Sequence, residues 1–232
     1  MSGEIHGVEG HAPMIPLRDA SRTPVRFPVV TVSLIAVSVL AFVWEVGNDE
    51  AAIIRWAVVP AELLRGQGWI TPFTAMFLHG GVMHIGSNMV FLAALAPMVE
   101  DAMGRGRFLV FYLLGGLAAT AAQIGMDPAS TVPQLGASGA IAAVMGAFLV
   151  TYPGDRIKVL WFFGLFTHVS HVPAFLLIGL WLVTQMLNRM GAVVEADAGG
   201  VAYAAHVGGA FFGMLTARMF ERHAERPAAL EW

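Results

Sequence analysis

The chain has 232 residues, 57% of them hydrophobic and 12% charged, with a formal net charge of -3 and a mean hydropathy of +0.69. Soluble domains carry roughly 25% charged residues, so the composition is that of a membrane protein, and no basic face exists of the kind that nucleic-acid binding needs. The absence of cysteine excludes disulfides, thiolate metal sites and a cysteine nucleophile.

Residues 1–26 include Glu4, Glu9, Arg18, Asp19, Arg22 and Arg26 with no apolar core. This predicts a disordered tail with no cleavable signal peptide. Uncharged runs then follow from Phe27 to Trp44, Ile70 to Val99, Phe108 to Met126, Pro128 to Gly154, Val159 to Asn188 and Ala198 to Ala217. Each has, or nearly has, the ~20 residues that cross a bilayer. The second, fourth and fifth exceed one span, so part of each is loop or interfacial segment. Pro128 and Pro133 belong to the connection before the fourth helix, Pro153 and Gly154 end it, and Pro173 starts the fifth. The expectation is an all-α, six-helix membrane domain over 27–220, with short tails at 1–26 and 221–232.

Lys and Arg concentrate in cytoplasmic loops. Arg18, Arg22 and Arg26 precede the first helix, Arg105 and Arg107 follow the second, Arg156 and Lys158 follow the fourth, and Arg218, Arg222 and Arg226 follow the sixth. Only Arg55, Arg65 and Arg189 fall on the other side. Both termini are therefore expected in the cytoplasm, and the second, fourth and sixth helices enter the membrane from outside. Their first residues share one depth.

At that depth lie Ser138 and His206, with His79, His84 and Asn88 at the start of the second helix. An imidazole inside a membrane is costly and marks a function with a nearby partner. A serine hydroxyl needs a base to become a nucleophile, and imidazole is a suitable one. Asn88 is a suitable oxyanion donor, and His84 lies four residues earlier on the same helix face. Ser138 would open the fourth helix, where free N–H groups point at an anion. Gly136 and Gly139 suit a tight loop entering that helix. Ser138 as a small packing residue, Asn88 as a link to another helix and His84 as part of the helix start are the competing readings. Gly209 and Gly213 form a small-xxx-small pattern for close helix approach. His168 and His171, ahead of Pro173, read as interfacial, and His6 and His11 lie in the tail.

Three motifs occur in order: the segment His79-Gly80-Gly81-Val82-Met83-His84-Ile85-Gly86-Ser87-Asn88, then Gly136-Ala137-Ser138-Gly139-Ala140, then Ala205-His206-Val207-Gly208-Gly209 with Gly213. Together they resemble the rhomboid intramembrane serine proteases, over about residues 69–213. Glu100 followed by Gly104 and Arg107 also resembles that family's loop after the second helix. The resemblance implies Ser138 as nucleophile, His206 as base, and His84 and Asn88 as oxyanion donors. It implies support roles for His79, Glu100, Gly209 and Gly213. Two positions depart from the family pattern. Ile70 follows Trp69 where an arginine is frequent, and Ala142 stands where many members carry an aromatic stacked on the base.

The expected function is a serine endopeptidase of bacterial six-helix type that cuts single-span membrane proteins near the outer face by a Ser–His dyad. Its partners are transmembrane substrates and the lipid bilayer, and its place is the bacterial plasma membrane with the site facing outward. No metal and no cofactor are expected. His79 and His84 are five apart without the glutamate of a His-Glu-x-x-His zinc site, and all six aspartates and ten glutamates lie outside or at the edges of the uncharged runs. The alternatives are a catalytically silent rhomboid-like protein that binds membrane clients, and a small channel or carrier. Substrate identity, gating route and oligomeric state are not encoded in any of these motifs.

Overall fold

A computed structural model describes residues 14–163, 166–194 and 203–222. In chain order the elements are strand β1 (Met14–Asp19), helix α1 (Val29–Val46), the short helices α2 (Glu50–Ile54), α3 (Pro60–Leu64) and α4 (Thr71–Thr74), and a 3-10 turn (Ala75–Phe77). These are followed by α5 (Val82–Met103), α6 (Arg105–Met126), α7 (Ser138–Thr151), strands β2 (Arg156–Phe163) and β3 (Phe166–Pro173), α8 (Ala174–Val194) and α9 (Tyr203–Phe220). The six longer helices fall one in each uncharged run.

The molecule is a multi-pass membrane protein built as a helical bundle. Helices α1, α5 and α6 are long and apolar enough to cross a bilayer, while α7 and the Ala174–Leu187 part of α8 are shorter apolar helices. Helix α7 is the centre of the bundle: from Gly139 to Phe148 every residue is buried. Its 14 residues extend ~21 Å at 1.5 Å per residue, short of the ~30 Å hydrocarbon core. Helix α7, which Ser138 opens, is therefore too short to cross that core end to end.

Close packing places α9 against α7. A β-carbon at Gly209 would overlap the carbonyl oxygen of Gly139, and one at Gly213 would overlap that of Ala143. Ala142, fully buried, lies beside Gly209. The small-xxx-small reading of these glycines thus has a geometric basis, since only hydrogen at these positions lets the two backbones meet. Gly139 does the same toward α6, where a β-carbon would strike that of Ala119.

Two buried carboxylates tie α1 to its neighbours. Glu100 on α5 accepts the Val30 N–H at 3.0 Å, the Thr31 N–H at 2.8 Å and the Thr31 hydroxyl at 2.8 Å, which satisfies the start of α1. Glu45, near the other end of α1, accepts the backbone N–H of His79 with both oxygens, at 2.9 and 3.0 Å. The connection between α1 and α5, where Ile70 follows Trp69, is tied down by backbone hydrogen bonds. Val58 and Gln134 exchange backbone hydrogen bonds of 2.9 and 2.7 Å, the Ala61 N–H reaches Ser130 O at 3.0 Å, and the Gly136 N–H reaches Ala75 O at 2.8 Å. Ile70 is the residue that precedes α4.

At the end of α7 remote from Ser138 lies an antiparallel sheet in the order β1-β2-β3. Strand β1 pairs with β2 from Met14↔Trp161 to Asp19↔Ile157, with a bulge between Pro16 and Arg18. Strand β2 pairs with β3 from Arg156↔Pro173 to Phe163↔Phe166. The disordered tail expected over 1–26 is therefore corrected from Met14 onward. Arg22 also holds Asp155 at 2.7 Å, and the Asp19 carboxylate accepts the Ser21 N–H at 2.7 Å. Residues 1–13, with His6 and His11, lie outside the described residues. Of the expected tail at 221–232, Glu221 and Arg222 are bonded, through Thr151 Oγ1→Glu221 at 2.8 Å and Arg222 N–H→Ala102 O at 2.9 Å. The rest of that tail is also outside the described residues. The excess length of the fifth uncharged run is β2 and β3, and Pro173 stands immediately before α8, as its lack of an N–H favours.

Candidate active site

Ser138 opens α7, so its own N–H and the next two lack intrahelical acceptors. The chain enters through Gly136, whose φ of 130° is one that side-chain-bearing residues rarely adopt. A β-carbon there would stand 2.9 Å from the His84 ring. Glycine at 136 serves both the turn and the approach of His84.

His206, near the start of α9, points Nε2 at Ser138 Oγ across 2.7 Å. Its other nitrogen, Nδ1, lies 2.7 Å from Gln185 Oε1. A carboxamide oxygen only accepts, so Nδ1 is the donor to Gln185, and in the neutral ring this turns the Nε2 lone pair toward the hydroxyl. Trp181, one helical turn before Gln185 on α8, packs on the imidazole with ring centroids 5.5 Å apart and planes at 41°. Ala142 brings no aromatic to the imidazole, and the ring beside it is that of Trp181. Neither Trp181 nor Gln185 was expected from the sequence. The available signal was a Trp four residues ahead of an uncharged polar residue inside an apolar run, which is compatible with many packing roles.

The pair faces a cavity of about 390 Å³ lined by His84, Asn88, Gly136, Ser138, Trp181 and His206 among others. Asn88 is 6% exposed and donates one Nδ2 hydrogen to His84 O at 3.1 Å, which leaves its second amide hydrogen for the cavity. His79 is 1% exposed; its Nδ1 lies 3.1 Å from Phe77 O and its ring meets the edge of His84 at 5.3 Å. It lines no part of the cavity and joins the loop to α1 through Glu45. Glu100, Gly209 and Gly213 likewise do not line the cavity and act in the contacts described above, Gly209 against Gly139 beside Ser138. His168 and His171 are on β3, paired with Trp161 and Lys158. The structure thus gathers Ser138, His206, His84, Asn88 and Gly136 around one cavity.

A serine hydroxyl hydrogen-bonded to a neutral imidazole, with free N–H groups beside it, is the arrangement that acyl transfer uses. The comparisons with known proteins agree in kind. The Rhomboid domain model matches residues 66–223. The Rhomboid protease GluP of Bacillus subtilis is 31% identical over 134 residues, covering 56% of this chain and 26% of that protein. The Rhomboid protease GlpG of Pectobacterium atrosepticum is 29% identical over 188 residues, covering 81% of this chain and 61% of the relative. The human mitochondrial presenilin-associated rhomboid-like protein is 26% identical over 192 residues, covering 78% and 45%. The chain belongs to the rhomboid family of membrane proteins. It spans from about a quarter to three fifths of the length of these relatives.

Proposed function

We propose that this chain is an intramembrane serine endopeptidase of the bacterial six-helix type, in which Ser138 attacks a peptide carbonyl of a transmembrane substrate. The observation that carries the reading is the 2.7 Å contact between Ser138 Oγ and His206 Nε2, set at the mouth of the one short central helix. His206 takes the hydroxyl proton as the Oγ–carbon bond forms and returns it to the leaving amine. Water then loses a proton to the same nitrogen as it attacks the acyl carbon, the Oγ–carbon bond breaks, and Nε2 returns the proton to Ser138 Oγ. Negative charge on the carbonyl oxygen is met by the Ser138 N–H, the second Asn88 amide hydrogen and His84. Gln185 accepts the Nδ1–H and keeps the ring in the tautomer that can act as base.

In this reading residues 27–220 form the membrane domain, both termini face the cytoplasm, and the cavity opens toward the outer face. That orientation follows from the Lys and Arg count. The cavity gives water a route to a depth where lipid alone would exclude it. Substrates are single-span proteins cut near the outer face of a bacterial plasma membrane, and the names of GluP and GlpG as rhomboid proteases support the reaction class.

The test is cleavage of a model single-span substrate in liposomes by the wild type, Ser138→Ala and His206→Ala. Both variants are expected to be inactive at unchanged expression and melting temperature. Turnover by either variant at the wild-type rate refutes the mechanism. No cleavage by the wild type, with the substrate retained on the protein, supports a silent client-binding protein instead.

A further inference from the structure

Strand β2 passes from the core of the bundle into the open along one face. Ile157 and Val159 are fully buried in the main core and Trp161 packs against it. Alternation puts Phe163 on the same side, and the register sets Phe166 opposite Phe163. Phe163 is 53% and Phe166 79% exposed. At ~3.4 Å per residue, Phe163 stands roughly 14 Å beyond Val159. The face whose root is pressed against the bundle thus continues away from that core, and among the described residues it ends in two aromatic rings that stay more than half exposed.

We propose that this end of the β2–β3 hairpin seats in the bilayer, with Phe163 and Phe166 inserted in the leaflet at the end of the bundle remote from Ser138. Direction is the first reason. A face that lies against the end of a membrane bundle looks toward the lipid once it extends past that bundle. Continuity is the second. Strand β3 runs through Pro173 directly into α8, whose Phe175, Leu176 and Leu180 are 60%, 53% and 62% exposed, so the helix that follows also carries an uncovered apolar surface. The hairpin's apolar end extends that surface instead of forming an isolated patch.

Charge is the third reason. Neither β2 nor β3 contains an acidic residue, and Arg156, Lys158 and the paired Arg18 of β1 lie at the root of the sheet. A basic root beside an aromatic tip is the order that anionic headgroups and the acyl boundary favour. The inference is independent of the proteolytic reading, because no group near Ser138 takes part.

The chain has no cysteine, so single cysteines can be labelled cleanly. Phe163→Cys, Phe166→Cys and, on the opposite face beside Phe162, Thr167→Cys would carry a nitroxide in liposomes of phosphatidylethanolamine and phosphatidylglycerol. At 163 and 166 the label is expected to be relaxed several-fold more by oxygen than by a water-soluble nickel chelate, with the order reversed at 167. Equal chelate access at all three positions overturns the proposal. Spin–spin broadening at 166 that grows with protein density also overturns it, in favour of an interface between two copies. On the unmodified protein, a lipid with a diazirine in its acyl chain should leave adducts on Phe163 and Phe166. Adducts on Phe175, Leu176 and Leu180 without any on the hairpin give the same negative answer with no substitution at all.

Discussion

Replacing Gln185 by leucine removes the oxygen that sits 2.7 Å from His206 Nδ1 while retaining an apolar side chain that fills much of the same space. The imidazole then either keeps an Nδ1–H that has lost its partner on the buried side of the ring, where Gln185 is 9% exposed, or moves its proton to Nε2. In the second state it cannot accept the Ser138 proton. A buried donor without a partner costs ~1–3 kcal/mol. At about 1.4 kcal/mol per factor of ten, the acylation rate should fall about 5- to 150-fold. The assay is the second-order rate at which a fluorophosphonate probe labels Ser138 in detergent, read beside kcat and KM for a model single-span substrate. Because Gln185 lies behind the ring, kcat should carry the loss and KM should hold. Gln185→Glu keeps an acceptor oxygen at the same reach and should recover most of the rate. A Gln185→Leu protein that melts like the wild type and is labelled within about twofold of its rate would show that Trp181 and packing alone hold the base.

Four further outcomes follow from contacts already described. Gly213→Val drives two methyl groups toward the Ala143 carbonyl and should lower stability by ~1–3 kcal/mol or more, read as a lower melting temperature with parallel loss of activity. Gly136→Ala strains a backbone at φ 130° and crowds His84, so probe labelling of Ser138 should slow by more than the melting temperature predicts. Glu45→Ala leaves the His79 N–H buried without its acceptor and should cost ~1–3 kcal/mol, with faster hydrogen exchange across residues 74–81. Burial, opposed by the Ser21 N–H and reinforced by the Asp155 charge, raises Asp19 from 3.8 to about 7. A raised folded-state value means that this contribution to stability is full at low pH and is lost as pH rises toward and through 7. The melting temperature should therefore fall from about pH 4 to about pH 7 and level off above that, and Asp19→Asn should flatten the fall.

Much of the site was legible in the residues because its parts are local. Gly136, Ser138 and Gly139 announce a turn into a helix, His84 and Asn88 share a helix face by their spacing of four, and Gly209 and Gly213 repeat small residues at the same interval. The way the base is held was not legible. Ala142 is where an aromatic was expected, and the replacement, Trp181 with Gln185, comes from a different helix. A Trp and a Gln in an apolar run do not say which neighbour they face. The same holds for Glu45, which sits at the end of an apolar run and whose tie to His79 spans 34 residues.

The sequence by itself determined the class of molecule, the position of the six apolar segments and which of their residues are candidates for chemistry. These depend on composition and on periodicity within single segments, which need no knowledge of what packs against them. Tertiary structure alone decided the 2.7 Å approach of residues 68 apart, the second clamp on the imidazole and the pairing of β1 with β2. Strand β1, from Met14, joins a strand more than 140 residues later, with Arg22 closing on Asp155 across 133 positions. A strand of six residues has no periodic signature long enough to be distinguished from a polar tail, and its stability comes from the edge it finds. The physical division is between what a segment prefers, which its own residues encode, and what it touches, which depends on how the whole chain closes.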